Sequence, residues 1–277
     1  MIEVVLVLIG LLWIVFASIQ DLRSREVANW LNFSLIIFVL GIRFFYSLFE
    51  AFDFAFFYQG VIGLCIFLVL GNLFYYSRLF GGGDAKLMIA LGAIFPLKLS
   101  LSENVNIFIW FLILFLVVGA IYGIIWSFVL MFMHFDKFKL EFLRLFNRNK
   151  KKILIPELIG VVLFAFGFFD VLFFLLGIMV LFLPYFYLYA KAIDNSCMIK
   201  KVMTNNLRMG DLLYKGVGVG KKRIDASWEG LSESEIKKIK KIRKFVLIRE
   251  GIPFVPVFLI SYLILFYLYF GSFLFGF

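Results

Sequence analysis

What most limits this chain is the length of its apolar runs. Residues 2–19 (IEVVLVLIGLLWIVFASI) carry one charge, at Glu3, and similar stretches recur through most of the 277 residues, of which 64% are hydrophobic and 39 are Phe. Runs of roughly 18 or more apolar residues match the thickness of a bilayer core, and a water-soluble core of this size cannot absorb so many of them. In lipid each helix satisfies its own backbone, so the composition predicts an all-α polytopic membrane protein. The first run has no basic segment before it and no small-residue cleavage site after it, and reads as a retained helix rather than a signal peptide. Cys65 and Cys197 are too few for a disulfide framework or a metal cage, so no metal site is expected.

Apolar runs and their polar breaks predict spans near 2–20, 30–48, 54–76, 84–98, 106–134, 154–169, 171–192 and 253–274. The total is about eight, within a range of six to eight, because 158–190 is long for one crossing and short for two. Charge arbitrates. With the N-terminus outside, basic residues gather on the inner side: Arg23, Arg25, Arg78 and Lys86, seven from Lys137 to Lys152, and fifteen from Lys191 to Arg249. Only Arg43 and Lys98 fall elsewhere. A single crossing at 158–190 would export the last fifteen, against the positive-inside tendency, so a hairpin turning near Gly167 to Asp170 is favoured. The division that follows is a transmembrane region at 1–134, a basic cytoplasmic loop at 135–156, a helical hairpin at 157–192, a small basic cytoplasmic α+β insert at 193–250 and a C-terminal span at 251–277.

The loop reads as an interfacial amphipathic turn of helix beside anionic lipid head groups. In the insert, short β-prone runs with glycine turns precede a helix near 232–248, where Ser232 and Glu235 have capping-box spacing. Ile236, Ile239 and Ile242 recur on one face of that helix above a basic one, which suits a membrane surface better than nucleic acid.

Carboxylates at membrane depth cost at least a few kcal/mol and are functional candidates by default. Asp170 falls at the hairpin turn, where water satisfies it. Asp21 closes the first span in FASIQDLRSREVANW and Asp84 opens the fourth in FGGGDAKLM, and the eight-span topology puts both at the inner face. Either alone could be a helix cap. Together they are the pair an aspartic peptidase needs: two carboxyls sharing a proton, one acting as base toward water and the other as acid toward the amide. Gly81, Gly82 and Gly83 then offer unusual backbone conformations and room for an extended substrate strand.

Gly81-Gly82-Gly83-Asp84 followed by Lys86 resembles the G-x-G-D-x-K motif of type IV prepilin peptidases, and Asp21 in DLRSREVANW resembles that family's first catalytic aspartate with its cytoplasmic flank. The likeness is to the archaeal branch, preflagellin peptidases included; it covers residues 1–130, and NNLRMGDLL and GIPFVPVFLISYL are also similar to that branch's C-terminal region. The resemblance implies a plasma-membrane endopeptidase that removes the short basic leader of prepilins or pre-archaellins at the cytoplasmic face, with Asp21 and Asp84 as the dyad. Bacterial members often add a cysteine-rich zinc domain and methylate the new N-terminus. No paired C-x-x-C occurs here, so no cofactor, zinc or methylation is expected.

Two further expectations follow from the residues. Asp21 should end a helix and Asp84 begin one, so helix dipoles would leave the shared proton more often on Asp21. Glu26, the acidic residue nearest the first motif, could receive the basic leader. A transporter using the same aspartates, and a presenilin-like protease, are the competing readings; the latter would place a Tyr before the first Asp, where this chain has Gln20.

Overall fold

A computed structural model describes residues 2–98, 100–219 and 222–275. Its order is α1 (Ile2–Ser24), α2 (Asn29–Tyr46, ending in a π-turn at Ser47–Ala51), α3 (Ala55–Tyr76), α4 (Gly82–Leu91), α5 (Leu101–Met133), α6 (Phe135–Phe166) and α7 (Val171–Ser196). Then come β1 (Ile199–Met203), β2 (Leu212–Leu213), β3 (Val217–Val219), β4 (Lys222–Ile224), α8 (Glu233–Ile242), β5 (Phe245–Arg249) and α9 (Val255–Phe275). The protein is a polytopic helical membrane protein with a small α+β insert. Among the described residues five helices are long and apolar enough to cross a bilayer: α1, α2 with its π-turn, α3, α5 and α7, and Val255–Gly271 is a shorter apolar helix. The chain divides into one unit of residues 1–123 with 252–277 and another of residues 124–251.

The first unit is built around α4. Leu87, Met88, Ala90 and Leu91 are buried among Leu6 and Ile14 of α1, Leu35 and Val39 of α2, Phe67 of α3, Phe111 and Phe115 of α5, and Phe258 and Tyr262 of α9. Leu8, Phe16, Ile37, Val69 and Leu116 point outward, as lipid-facing side chains should. Where α3 crosses α4, a Cβ on Gly92 would lie 2.6 Å from the Gly63 carbonyl, so only glycine permits this approach.

The predicted fourth span is helical for only ten residues, about 15 Å, which is half a bilayer core. Beyond Leu91 the chain continues as turns, and Lys98 ion-pairs with Glu3 at 3.5 Å, near the start of α1. The segment thus travels from one end of α1 to the other, half as helix and half as irregular backbone. Such backbone is tolerated at membrane depth only when protein satisfies it. Arg43 does so. Fully buried on α2, it donates from Nε to Ala93 O (2.9 Å), from Nη1 to Phe56 O (3.0 Å) and from Nη2 to Ile94 O (3.0 Å) and Pro96 O (2.6 Å), with its guanidinium 4.3 Å from the Phe56 ring centroid. This arginine, left outside the inner basic set by charge counting, is a clamp on the broken crossing.

In the second unit, residues 135–156 are helix throughout and do not form a separate loop: α6 runs unbroken through Pro156 to Phe166. Its polar N-terminal half still has an apolar stripe, Phe138, Leu145 and Ile153, which packs on Leu188, Ala192 and Ile193 of α7. That stripe, and not interfacial lipid alone, explains why the helix persists. The hairpin turns where expected, and Asp170 caps α7, its Oδ1 accepting from Leu172 N at 2.8 Å. After α7, β5 lies between β1 and β2 in an antiparallel sheet, and β3 and β4 form a separate antiparallel pair. The capping box of α8 is present: Ser232 Oγ accepts from Glu235 N, and Ser232 N donates to Glu235 Oε2 at 2.9 Å. Ile236 and Ile239 are not turned toward a membrane, because they pack with Val246 and Ile248 of β5.

Candidate active site

The last turns of α1 bring Asp21 to a buried position, 6% exposed. The helix then stops at Arg25, whose left-handed φ of 58° turns the chain while its N–H still bonds the Asp21 carbonyl at 2.8 Å. Gln20 fastens the turn, its Oε1 accepting from Ala28 N at 3.1 Å. The turn residue Val27 is buried against the glycine loop: a Cβ on Gly83 would come 3.5 Å from Val27 N. The two sequence motifs, some sixty positions apart, are thus in contact.

Asp84 stands in the first turn of α4 as the third helical residue, and Gly81 N donates to its Oδ2 at 3.2 Å. The expectation of unusual glycine conformations is not met. Gly81 is ordinary extended backbone (φ −71°, ψ 163°), and neither Gly82 nor Gly83 has a positive φ. The glycines serve proximity instead, since a Cβ on Gly81 would press to 3.3 Å from the Asp84 carboxylate. Gly81 and Gly82 are exposed, so the loop beside Asp84 is open to a strand laid along it.

Asp21 and Asp84 are near enough to act on each other electrostatically. Asp21 has a partner that no local reading supplies: Val255 N, at the start of α9, donates to its Oδ2 at 3.0 Å. The carboxyl therefore sits at the end of α1 and also at the beginning of α9. The end of α1 favours the shared proton on Asp21, and the start of α9 opposes it.

Lys86 is exposed and donates from Nζ to Asn29 Oδ1 at 2.7 Å, joining the first turn of α4 to the start of α2. Glu26 is exposed on the turn between α1 and α2. Tyr122, which sequence reasoning passed over, also belongs to this neighbourhood. Phe111, Phe115, Gly119 and Tyr122 form one stripe on α5. Phe115 is 5.7 Å from the Phe254 ring, Gly119 abuts Phe254 with a would-be Cβ contact of 3.0 Å, and Tyr122, one turn further on, interacts electrostatically with Asp21 and Arg25. A tyrosine inside an apolar helix carries no local signal of such a role. Among the described residues no three His, Cys, Asp or Glu side chains gather as metal ligands.

The family model for the type IV leader peptidase family matches residues 8–133, a stretch that contains both aspartates. A preflagellin peptidase of Methanococcus maripaludis is 31% identical over 159 residues, which cover 53% of this chain and 68% of that protein. The chain belongs to the type IV leader peptidase family. The preflagellin peptidase of Methanocaldococcus jannaschii is 35% identical over 89 residues, and that of Methanococcus voltae 33% over 90; each match covers 32% of this chain and 37% of the relative. No solved structure matches the chain. The match to the family of leader peptidases ends at α5, so α6, α7 and α8 lie outside the family model.

Proposed function

We propose that this leader peptidase family member is an aspartic endopeptidase that removes the short basic leader of pre-archaellins or prepilins at the cytoplasmic membrane face, with Asp21 and Asp84 as its dyad. The observation that carries the reading is that these two carboxyls, at the end of α1 and the start of α4, lie within electrostatic range of each other inside the family match. The preflagellin peptidases among the relatives supply the substrate class. The basic residues that flank the apolar runs, Arg23, Arg25, Arg78 and Lys86 among them, support the cytoplasmic orientation.

In the reaction, the ionised carboxyl takes a proton from water as the water oxygen bonds to the scissile carbonyl carbon, and the protonated carboxyl gives its proton to the carbonyl oxygen. Collapse of the tetrahedral intermediate breaks the C–N bond. The first carboxyl then passes its acquired proton to the departing amine, and the second recovers its own from the hydroxyl. The hydrogen bond from Val255 N holds Oδ2 of Asp21, on which the Phe254 backbone also acts, and the Gly81 N–H holds Oδ2 of Asp84, so both carboxyls are oriented for water and substrate. We assign the Tyr122 hydroxyl, which acts electrostatically on Asp21, the tuning of that carboxyl.

The test is incubation of membranes containing the protein with pre-archaellin and prepilin substrates, read by gel shift and N-terminal sequencing of the product. One cut between the basic leader and the hydrophobic helix is expected. No cut in any substrate, with ion flux in proteoliposomes instead, would favour the transporter reading.

A further inference from the structure

The helix expected to lie on the membrane packs two of its three isoleucines, Ile236 and Ile239, on β5, which raises the question of what the opposite side of the sheet does. Residues alternate between the faces of a strand, and on β5 Val246 and Ile248 face α8 while Phe245, Leu247 and Arg249 face away. The register sets Met203 opposite Phe245, Lys201 opposite Leu247 and Ile199 opposite Arg249. This outer face is therefore apolar and basic together. Met203 is 56%, Phe245 44% and Leu247 42% exposed, and the Lys201 ammonium lies 4.7 Å from the centroid of the Phe245 ring.

The outer face is also tied to a membrane-spanning helix. Only Cys197 and Met198 separate α7 from β1. Arg249, on the outer face, pairs through Nε with Asp194 Oδ1 in the last turn of α7 at 3.0 Å, so this face is on the side from which the helix emerges. The acidic groups nearby, Asp194 and Glu250, are already engaged by Arg249 and Lys200. Lys201 remains beside the apolar cluster without an acidic partner among the ion pairs of the described residues.

We infer that the outer face of the β1–β5 sheet, with Met203, Phe245 and Leu247 as its apolar seat and Lys201 among them, rests on the anionic head-group layer of the bilayer. Apolar side chains enter the head-group boundary while ammonium groups remain with lipid phosphates, which is the chemistry of interfacial binding. Helix α8 then faces water. The sheet would hold the insert flat beneath the membrane, with α8 as its outer cover. The inference rests on the multi-pass assignment and not on the peptidase reading.

The test is site-directed spin labelling of the full chain, with Cys65 and Cys197 replaced by alanine and single cysteines placed at 203, 245 or 247, or at 237 or 241 on α8. The protein is reconstituted in vesicles of phosphatidylglycerol mixed with phosphatidylcholine, and collision with oxygen is compared with collision with a water-soluble nickel chelate. Labels at 203, 245 and 247 are expected to favour oxygen, and those at 237 and 241 the nickel complex. Lys201→Glu should move the label at 245 toward water. Nickel access at 203, 245 and 247 equal to that on α8 would overturn the inference. So would poor access to both probes, which would mean that protein covers the face. Cleavage activity measured on the same samples reports separately on the peptidase reading.

Discussion

The N–H of Val255 donates to Oδ2 of Asp21 at 3.0 Å across 234 positions of sequence. The start of the last helix thus holds a candidate catalytic carboxyl at the end of the first. The residue type at 255 contributes nothing to this bond, because its donor is backbone. Val255→Pro removes the donor while leaving a first-turn position that tolerates proline. A hydrogen bond to a charged group is worth roughly 1.5–3 kcal/mol, so leader cleavage should fall about 10- to 100-fold with protein levels maintained. Cleavage rates of the variant in isolated membranes check this.

Arg43 makes the second long-range tie. Arg43→Met should strand four buried carbonyls, each costing on the order of 1–3 kcal/mol, and lower the thermal midpoint in detergent by several degrees or more. Arg43→Lys should not rescue it, since an ammonium lacks the planar fork that reaches Ala93, Phe56, Ile94 and Pro96 together. A lysine variant as stable as wild type would show that one contact suffices.

The three glycines should differ in tolerance. A methyl at Gly83 meets Val27 at ordinary van der Waals distance, whereas a methyl at Gly81 presses on the Asp84 carboxylate. Gly81→Ala should therefore reduce cleavage severalfold more than Gly83→Ala, as measured on one substrate at matched protein levels.

Tyr122→Phe should lower kcat by up to about tenfold, the scale of one hydrogen bond, with KM changed little. If the phenol donates to the ionised dyad, its loss destabilises the anion, and the acid limb of the pH–rate profile moves to higher pH. Tyr262→Phe is the control, because its hydroxyl bonds the Val7 carbonyl away from the dyad. That variant should lose stability without moving the profile.

The parts legible in sequence were those with local or periodic signals. Apolar runs gave the long helices, Ser232 and Glu235 marked the start of α8, and glycines beside an aspartate marked the loop before α4. What escaped depended on contacts distant in sequence. An apolar stretch from 84 to 98 looks the same whether it is helix throughout or helix for ten residues, and what permits the break is Arg43 on another helix. The run of lysines and arginines from 137 to 152 looked like a loop because its apolar stripe is narrow, yet α7 supplies the surface that stripe needs. In the sequence Glu26 stands out by its charge beside the first motif and Lys86 by its place in the glycine motif. The fold leaves both exposed and gives Lys86 to Asn29.

The most direct measurement is leader cleavage by wild type, Asp21→Asn, Asp84→Asn and the double variant, at equal protein levels in the same membranes. Residues that act as one catalytic unit are strongly non-additive, so each single variant should abolish the cut and the double variant should be no worse than either. Near-normal cleavage by either single variant, or losses that add independently, would contradict the dyad.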